Sequence, residues 1–389
     1  MAYISHYSRH YIWLNFTTQK ALVMNINNSQ TEIACFRIYR EEYLNSEGEL
    51  LNQLPDNVSK ESLVLFYKHM VYARTFDQKA IALQRTGQLG TYPSALGQEA
   101  INTALGMTMK AEDVLVPYYR DHSTRLIRGT PARDLFLYWG GDERGSMFSD
   151  TNAVDFPDCV PIATQMSHGA GVATAMKIRQ LPQATVTTCG DGATSRGDFY
   201  ETLNVAGVWQ LPLVMVVNNN NWAISVPFSK QSKVQTIAQK AIAAEIHKLQ
   251  VDGNDPVALL SVFDIALKRA RTGKGATLIE AVTYRLGDHT TADDARRYRS
   301  DADLQTATQL EPMIRLRKWL TKHNLWNDEL EAQETKACKA RVQVEVKAYL
   351  ATPPQQAEDF FDYVYEQCPA DFAPQKQAAK AKMARLQGH

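Results

Sequence analysis

Two short apolar runs, each closed by polar residues and separated by one helical pattern, constrain this chain more than any other feature. Ala184-Thr185-Val186-Thr187-Thr188-Cys189 leads into Gly190-Asp191-Gly192-Ala193, and Leu211-Pro212-Leu213-Val214-Met215-Val216-Val217 leads into Asn218-Asn219-Asn220-Asn221. Both runs have the length and β-rich composition of buried strands. Between them Phe199, Leu203, Ala206 and Trp209 recur at helical spacing. Strand, loop, helix and strand within one sheet make the two strands parallel. The expected fold is therefore α/β, a parallel sheet covered by helices, with Asp191 and Asn220 at the same sheet edge.

Ligands of parallel α/β sheets bind beyond the carboxyl ends of the strands, where helix N-termini and free backbone amides favour anions. Magnesium takes about six hard oxygen ligands, usually one or two carboxylates from protein and the rest from phosphate and water. One aspartate and one asparagine fit that demand, and the glycines flanking Asp191 let the backbone approach a diphosphate without an intervening Cβ. Alone, Gly-Asp-Gly is a common surface turn and a run of four asparagines a common polar loop. Their order, with a helix between them, points instead to a magnesium diphosphate site.

The stretch from Gly190 to Ser225 is similar to the thiamine diphosphate motif of the alpha subunits of 2-oxo acid dehydrogenase complexes, which form half of the decarboxylating component. The resemblance continues in Arg85-Thr86-Gly87 to Gly97-Gln98-Glu99-Ala100, in Tyr119-Arg120-Asp121, in Val251-Asp252-Gly253-Asn254-Asp255 and in Tyr284-Arg285-Leu286-Gly287-Asp288-His289-Thr290-Thr291-Ala292-Asp293-Asp294. It implies a thiamine diphosphate-binding fold with helical C-terminal additions. It also implies thiamine diphosphate and Mg2+ as cofactors, with the metal held by Asp191, the side chain of Asn220 and the backbone carbonyl of Trp222. By the same resemblance Tyr119 and Arg120 hold the diphosphate, Gly192 and Ala193 offer backbone amides, and Ile162 lines the cofactor near its aminopyrimidine ring. Arginine suits such a place because its planar fork donates two hydrogen bonds to one phosphate and stays charged.

The resemblance makes His289 the catalytic residue, facing the reacting end of the cofactor and the substrate. It follows a β-rich run, Ala276 to Tyr284, and opens a polar loop. A histidine exchanges a proton near neutral pH, so it can stabilise a developing oxyanion or supply a proton during acyl transfer. His122 has two open readings, contact with substrate or packing beside the diphosphate arm. Asn218 sits at a position that varies in the family, and Thr91 replaces a phenylalanine common among relatives. Thr290 stands where animal relatives carry a phosphorylated serine. The glutamate that activates the aminopyrimidine ring in these enzymes belongs to the beta subunit, so Glu99 is not that group and the chain alone is expected to be inactive.

The implied reaction is oxidative decarboxylation of pyruvate and transfer of the acyl group to a lipoyl-lysine of the acyltransferase component. The alternatives are a branched-chain 2-oxo acid as substrate, or a non-catalytic subunit of the same fold. The implied partners are a beta subunit, in an alpha2-beta2 assembly, and a lipoyl domain.

Composition bounds the remaining classes. With 44% hydrophobic and 22% charged residues, 389 residues can bury a large core. Lysine plus arginine balances aspartate plus glutamate at 42 each, which leaves no basic field for nucleic acid. The five cysteines are scattered without a Cys-x-x-Cys pair, so neither a metal spacing nor a disulfide framework is expected. No run approaches the ~20 apolar residues that span a bilayer, and no targeting signal is recognised, so the expected location is cytoplasmic. Residues 1–34 read as a flexible extension, with Met24 as an alternative start. Residues 35–350 read as the α/β cofactor domain and 351–389 as a partner-packing segment and tail, while Leu304 to Leu350 has the pattern of long amphipathic helices. Gly273-Lys274-Gly275 lacks phosphate-loop spacing and reads as a turn before a strand.

Overall fold

The computed structural model describes residues 33–148, 154–362 and 364–387, so most of the 1–34 extension, with Met24, lies outside the described residues. Residues Ile38–His389 form one compact unit, and the described residues 33–37 belong to the unit before it.

The sheet consists of β1 (Arg40–Glu41), β2 (Val114–Val116), β3 (Thr185–Gly190), β4 (Leu213–Asn219), β7 (His247–Asp252) and β8 (Thr277–Val282), in the order β1-β7-β8-β4-β3-β2. Every pairing is parallel. A two-residue antiparallel pair, β5 (Trp222–Ala223) and β6 (Val226–Pro227), follows β4 directly. Register brings the strand ends level: Gly190 lies opposite Asn218, and Asn219 opposite Val282. Asp191, Asn220 and the segment after Val282 thus leave the sheet along one edge.

Continuous apolar strands imply burial on both faces, and β4 shows it by alternation. Val214 and Val216 enter a core shared with helices α1 (Lys60–Arg85), α2 (Glu99–Thr108) and α8 (Pro256–Arg271). Leu213, Met215 and Val217 enter a second core on the opposite face, with α5 (Thr164–Ile178), α6 (Gly197–Val208) and the 3-10 helix Ile237–Ala244. Gly207 on α6 permits the second layer to close, because a Cβ there would lie 2.1 Å from the carbonyl oxygen of Ala244. Of the four residues read as the buried stripe of α6, Phe199, Leu203 and Ala206 are buried. Trp209 is the exception: it lies one residue past the helix end and is half exposed.

Helix ends follow local chemistry. Ser59 and Ser62 form a reciprocal capping box at the start of α1. Asp255 caps α8 by accepting from the amides of Val257 and Ala258, while its other oxygen accepts from Tyr43 at 2.6 Å and Leu44 at 2.7 Å. The Val251 to Asp255 motif is therefore a structural joint between β7, α8 and the N-terminal segment. Glu99 is likewise structural, since it pairs with Arg74, which also bonds Glu311 at 2.7 Å. Gly273 to Gly275 is a turn before β8, with both glycines at positive φ.

The region from Leu304 to Leu350 is helical, as its pattern predicts: α9 (Asp301–Gln309), α10 (Pro312–Lys322) and α11 (Asp328–Leu350). The chain ends in α12 (Asp359–Asp362) and α13 (Phe372–Gln387), where Phe361 and Tyr365 pack edge-on against Phe372. Among the described residues no helix is long and apolar enough to cross a membrane. All five cysteines are free thiols, and Cys189 is buried in β3.

Candidate active site

A cleft of about 170 Å³ opens at the carboxyl ends of β3, β4 and β8. Tyr119, Arg120, Ile162, Asp191, Gly192, Ala193, Asn220, Trp222 and His289 all line it. Five segments meet there because the parallel topology returns each strand to the same edge: the stretch after β2, the approach to α5, the turn after β3, the turn after β4, and the loop after β8.

Asp191 opens a 3-10 turn, Asp191–Ser195. Its own carbonyl is anchored by Thr194 Oγ1 at 2.8 Å and Gln231 Nε2 at 3.0 Å. The carboxylate is 1% exposed and its Oδ2 has no hydrogen-bond partner. A buried charge without full compensation is costly, and burial raises the Asp191 pKa to about 6. A Cβ placed on Gly190 would meet nothing within 4 Å, so the backbone before Asp191 borders open space.

Asn220 is buried, and its Oδ1 accepts from the amide of Trp222 at 3.2 Å. Backbone strain gathers at this edge: Ala163, Asn221 and Ile224 all hold positive φ without being glycine. Such conformations persist where the surroundings over-determine them, often at binding sites. Among the described residues no three His, Cys, Asp or Glu side chains cluster as a metal cage. A divalent ion at Asp191 would therefore draw most of its ligands from a bound phosphate and water, which is the habit of magnesium.

Two buried guanidiniums flank the opposite wall. Arg120 donates to Ser94 O at 2.6 Å, His289 O at 2.6 Å and His289 Nδ1 at 2.9 Å. Arg285 donates to Ile224 O at 2.8 Å, to the Tyr298 hydroxyl at 2.7 Å and, at 3.4 Å, to both Trp222 O and His289 Nδ1. Every one of these acceptors is neutral. Neither guanidinium has a direct carboxylate partner, although Asp293 acts on Arg285 electrostatically and accepts from the Tyr298 hydroxyl to which Arg285 donates. Two fixed cations so placed favour an anion, and a magnesium-bound diphosphate would supply an anion for them and a cation for Asp191.

Since arginine only donates, His289 Nδ1 is an acceptor and the ring carries its proton on Nε2. Burial together with the Arg120 and Arg285 charges lowers the His289 pKa to about 3. Without an anion in the cleft, His289 is a neutral Nε2–H donor, and the near-neutral titration expected from its residue type is suppressed. Its backbone amide is pinned to Asp293 Oδ2 at 2.9 Å, and its ring stands edge-on to Tyr119.

His122 does not line the cleft. It is buried, stacked on Tyr92 with ring centroids 5.1 Å apart, and bonded through Nε2 to Pro93 O at 3.1 Å. Within this chain its contacts are packing contacts, with Phe76, Tyr92 and Trp139 around the ring. Asn218 also stays behind the wall, donating to the Tyr118 hydroxyl at 2.9 Å. Thr91 is exposed and outside the cleft lining.

Tyr118, Gln165 and Arg285 belong to the site, although sequence reasoning gave them no role. Tyr118 and Gln165 line the cleft, and Gln165 Oε1 has no partner. Arg285 carried a signal, a cation one residue past a β-rich run within the Tyr284 to Asp294 motif. Gln165 lies near the start of a helix whose sequence gives no sign of it.

Residues 67–358 match the family described as the dehydrogenase E1 component. A Bacillus cereus protein named pyruvate dehydrogenase E1 component subunit alpha is 36% identical over 372 residues, covering 95% of this chain and 100% of that protein. A Bacillus subtilis protein of the same name is 39% identical, covering 86% of this chain and 90% of its own length. A Staphylococcus aureus protein, also of that name, is 36% identical over 92% of this chain and 96% of its own. With the family matched across residues 67–358 and relatives aligned over nearly their whole lengths, this chain belongs to the dehydrogenase E1 component family.

Proposed function

We propose that this chain is the alpha subunit of a pyruvate dehydrogenase decarboxylating component, dependent on thiamine diphosphate and magnesium and active with a beta subunit. One observation carries the reading: a buried carboxylate oxygen on Asp191 without a hydrogen-bond partner lines a cleft that Arg120 also lines, with the Arg285 guanidinium bonded behind it to Ile224 and His289 of the same lining. The names of the bacterial relatives supply the substrate class.

Asp191, Asn220 Oδ1 and the carbonyl of Trp222 would hold the magnesium. Arg120 and Tyr119, with the amides of Gly192 and Ala193, would hold the diphosphate, and Ile162 would rest against the aminopyrimidine ring. When bound, the cofactor supplies the carbanion and electron sink for loss of carbon dioxide from the 2-oxo acid. The protein's share is to orient the reacting groups, exclude water and stabilise charge. His289 contributes its Nε2 proton as a hydrogen-bond donor to oxygen that gains negative charge; a nearby anion would raise its pKa, so that the ring could take up a second proton and act as a general acid.

A cleft of about 170 Å³ is smaller than the roughly 300–1,000 Å³ of a complete cofactor site. A second chain completing the pocket accounts for the difference, and the lipoyl-lysine of the acyltransferase component would enter between the two chains. The test is carbon dioxide release from pyruvate and from 2-oxoisovalerate by the chain co-expressed with its beta partner, supplied with thiamine diphosphate and magnesium. Preference for pyruvate is expected. Preference for the branched acid would move the assignment to that substrate, and silence on both, with the cofactor demonstrably unbound, would overturn it.

A further inference from the structure

At the cleft wall, four buried side chains form a hydrogen-bond chain that converges on one acceptor. Asn218 Nδ2 donates to the Tyr118 hydroxyl at 2.9 Å, that hydroxyl donates to Gln98 Oε1 at 3.5 Å, and Asn220 Nδ2 donates to the same Oε1 at 3.1 Å. An amide NH2 only donates. The Tyr118 oxygen is therefore the acceptor from Asn218, and its one proton is directed to Gln98, whose Oε1 ends the chain from both sides. Gln98 is fully buried at the N-terminus of α2, behind Gly97 at φ +88°.

This polarity has a consequence for the metal. With its nitrogen committed to Gln98, Asn220 must turn its Oδ1 the other way, where it takes one bond from the Trp222 amide and keeps a lone pair. A hard cation binds carbonyl oxygen and is repelled by an amide NH2. With the Gln98 acceptor removed, only the 3.2 Å bond from the Trp222 amide would hold this orientation, and the wrong end would face the ion for part of the time. We propose that Gln98 is a positioning residue for the magnesium site, fixing Asn220 so that Oδ1 and not Nδ2 faces the ion. The inference rests on the cleft being a magnesium diphosphate site.

Partners that orient metal ligands typically change metal affinity by about 10–100-fold when removed. The chain is assembled with its beta partner, stripped of cofactor and titrated with magnesium by calorimetry at saturating thiamine diphosphate. Gln98→Met keeps the length and removes the acceptor, and it should weaken magnesium by about tenfold or more. Gln98→Glu keeps the acceptor and should stay within a few-fold of the unsubstituted protein.

The decisive variant adds Asn220→Asp to Gln98→Met. A carboxylate presents oxygen whichever way it is turned, so affinity should return to within a few-fold of the unsubstituted protein, a rescue that a loss of packing would not allow. If the methionine variant does not assemble, Gln98→Leu takes its place with the same two expectations. Unchanged magnesium affinity in the acceptor-less variant, or no rescue by Asn220→Asp, overturns the proposal. Absence of magnesium-dependent binding by the unsubstituted complex overturns instead the reading of the cleft on which the proposal rests.

Discussion

Replacing Asp191 by asparagine should stabilise the cofactor-free protein while abolishing magnesium-dependent cofactor binding. Burial raises this carboxyl from 3.8 to about 6. A shift of roughly two units at 1.36 kcal/mol each is a penalty of about 3 kcal/mol carried by the folded state at neutral pH. The sign follows from proton counting. Between the two pKa values the native state holds a proton that the unfolded state has lost, so stability falls as pH rises through that window and stays low above about pH 6.

By the same relation the penalty at pH 5 is roughly half of its value at pH 7. Asparagine removes the charge but leaves a buried amide incompletely bonded, which takes back on the order of 1 kcal/mol. A net gain of about 2 kcal/mol, spread over the unfolding entropy of roughly 350 residues at ~2 cal/mol/K each, raises the melting temperature by about 3 °C at pH 7 and by less at pH 5. Thermal melts of both proteins across pH 5 to 8, without cofactor, provide the measurement. An asparagine variant that melts lower than the parent at pH 7, or a gain that does not shrink as pH falls, would refute the assignment of Asp191 as an incompletely compensated buried charge.

Other outcomes follow from the same cleft. In the cofactor-free protein, the nitrogen NMR shifts of His289 should show the neutral Nε2–H form down to pH 5, and a titration centred near 6.5 would contradict the two-arginine environment. His289→Ala should leave cofactor affinity within a few-fold yet lower acyl transfer by about 10²–10⁴, the usual worth of a positioned proton donor, as read from single-turnover kinetics. Magnesium affinity should fall about tenfold per pH unit below about 6, because Asp191 must give up its proton to bind; a flat profile down to pH 4.5 would exclude Asp191 as a ligand. Glu99→Gln breaks a buried pair with Arg74 and should destabilise the fold by about 3–5 kcal/mol in denaturant titration, with magnesium affinity unchanged if the residue is purely structural.

How much of this was legible in the sequence depends on how far apart the cooperating residues lie. Asp191 and Asn220 were readable together because one strand-helix-strand unit joins them and parallel topology leaves a single choice of edge. His289 was readable from the β8 run and its resemblance, although its residue type suggested a near-neutral pKa that the flanking arginines suppress. Trp209 misled because an apolar residue at helical spacing belongs to the stripe only while the helix lasts, and this one ends at Val208.

Gln98 lay in a quoted motif but acquires a role only through Asn220 and Tyr118, which other elements deliver to it. Local spacing encodes elements and their edges. The orientation of an amide is fixed by whichever buried acceptor the finished fold sets opposite it. If Asn220 holds the metal as proposed, part of that chemistry is encoded at Gln98, on the far side of β2 and β3 in the sequence, and only folding joins the two.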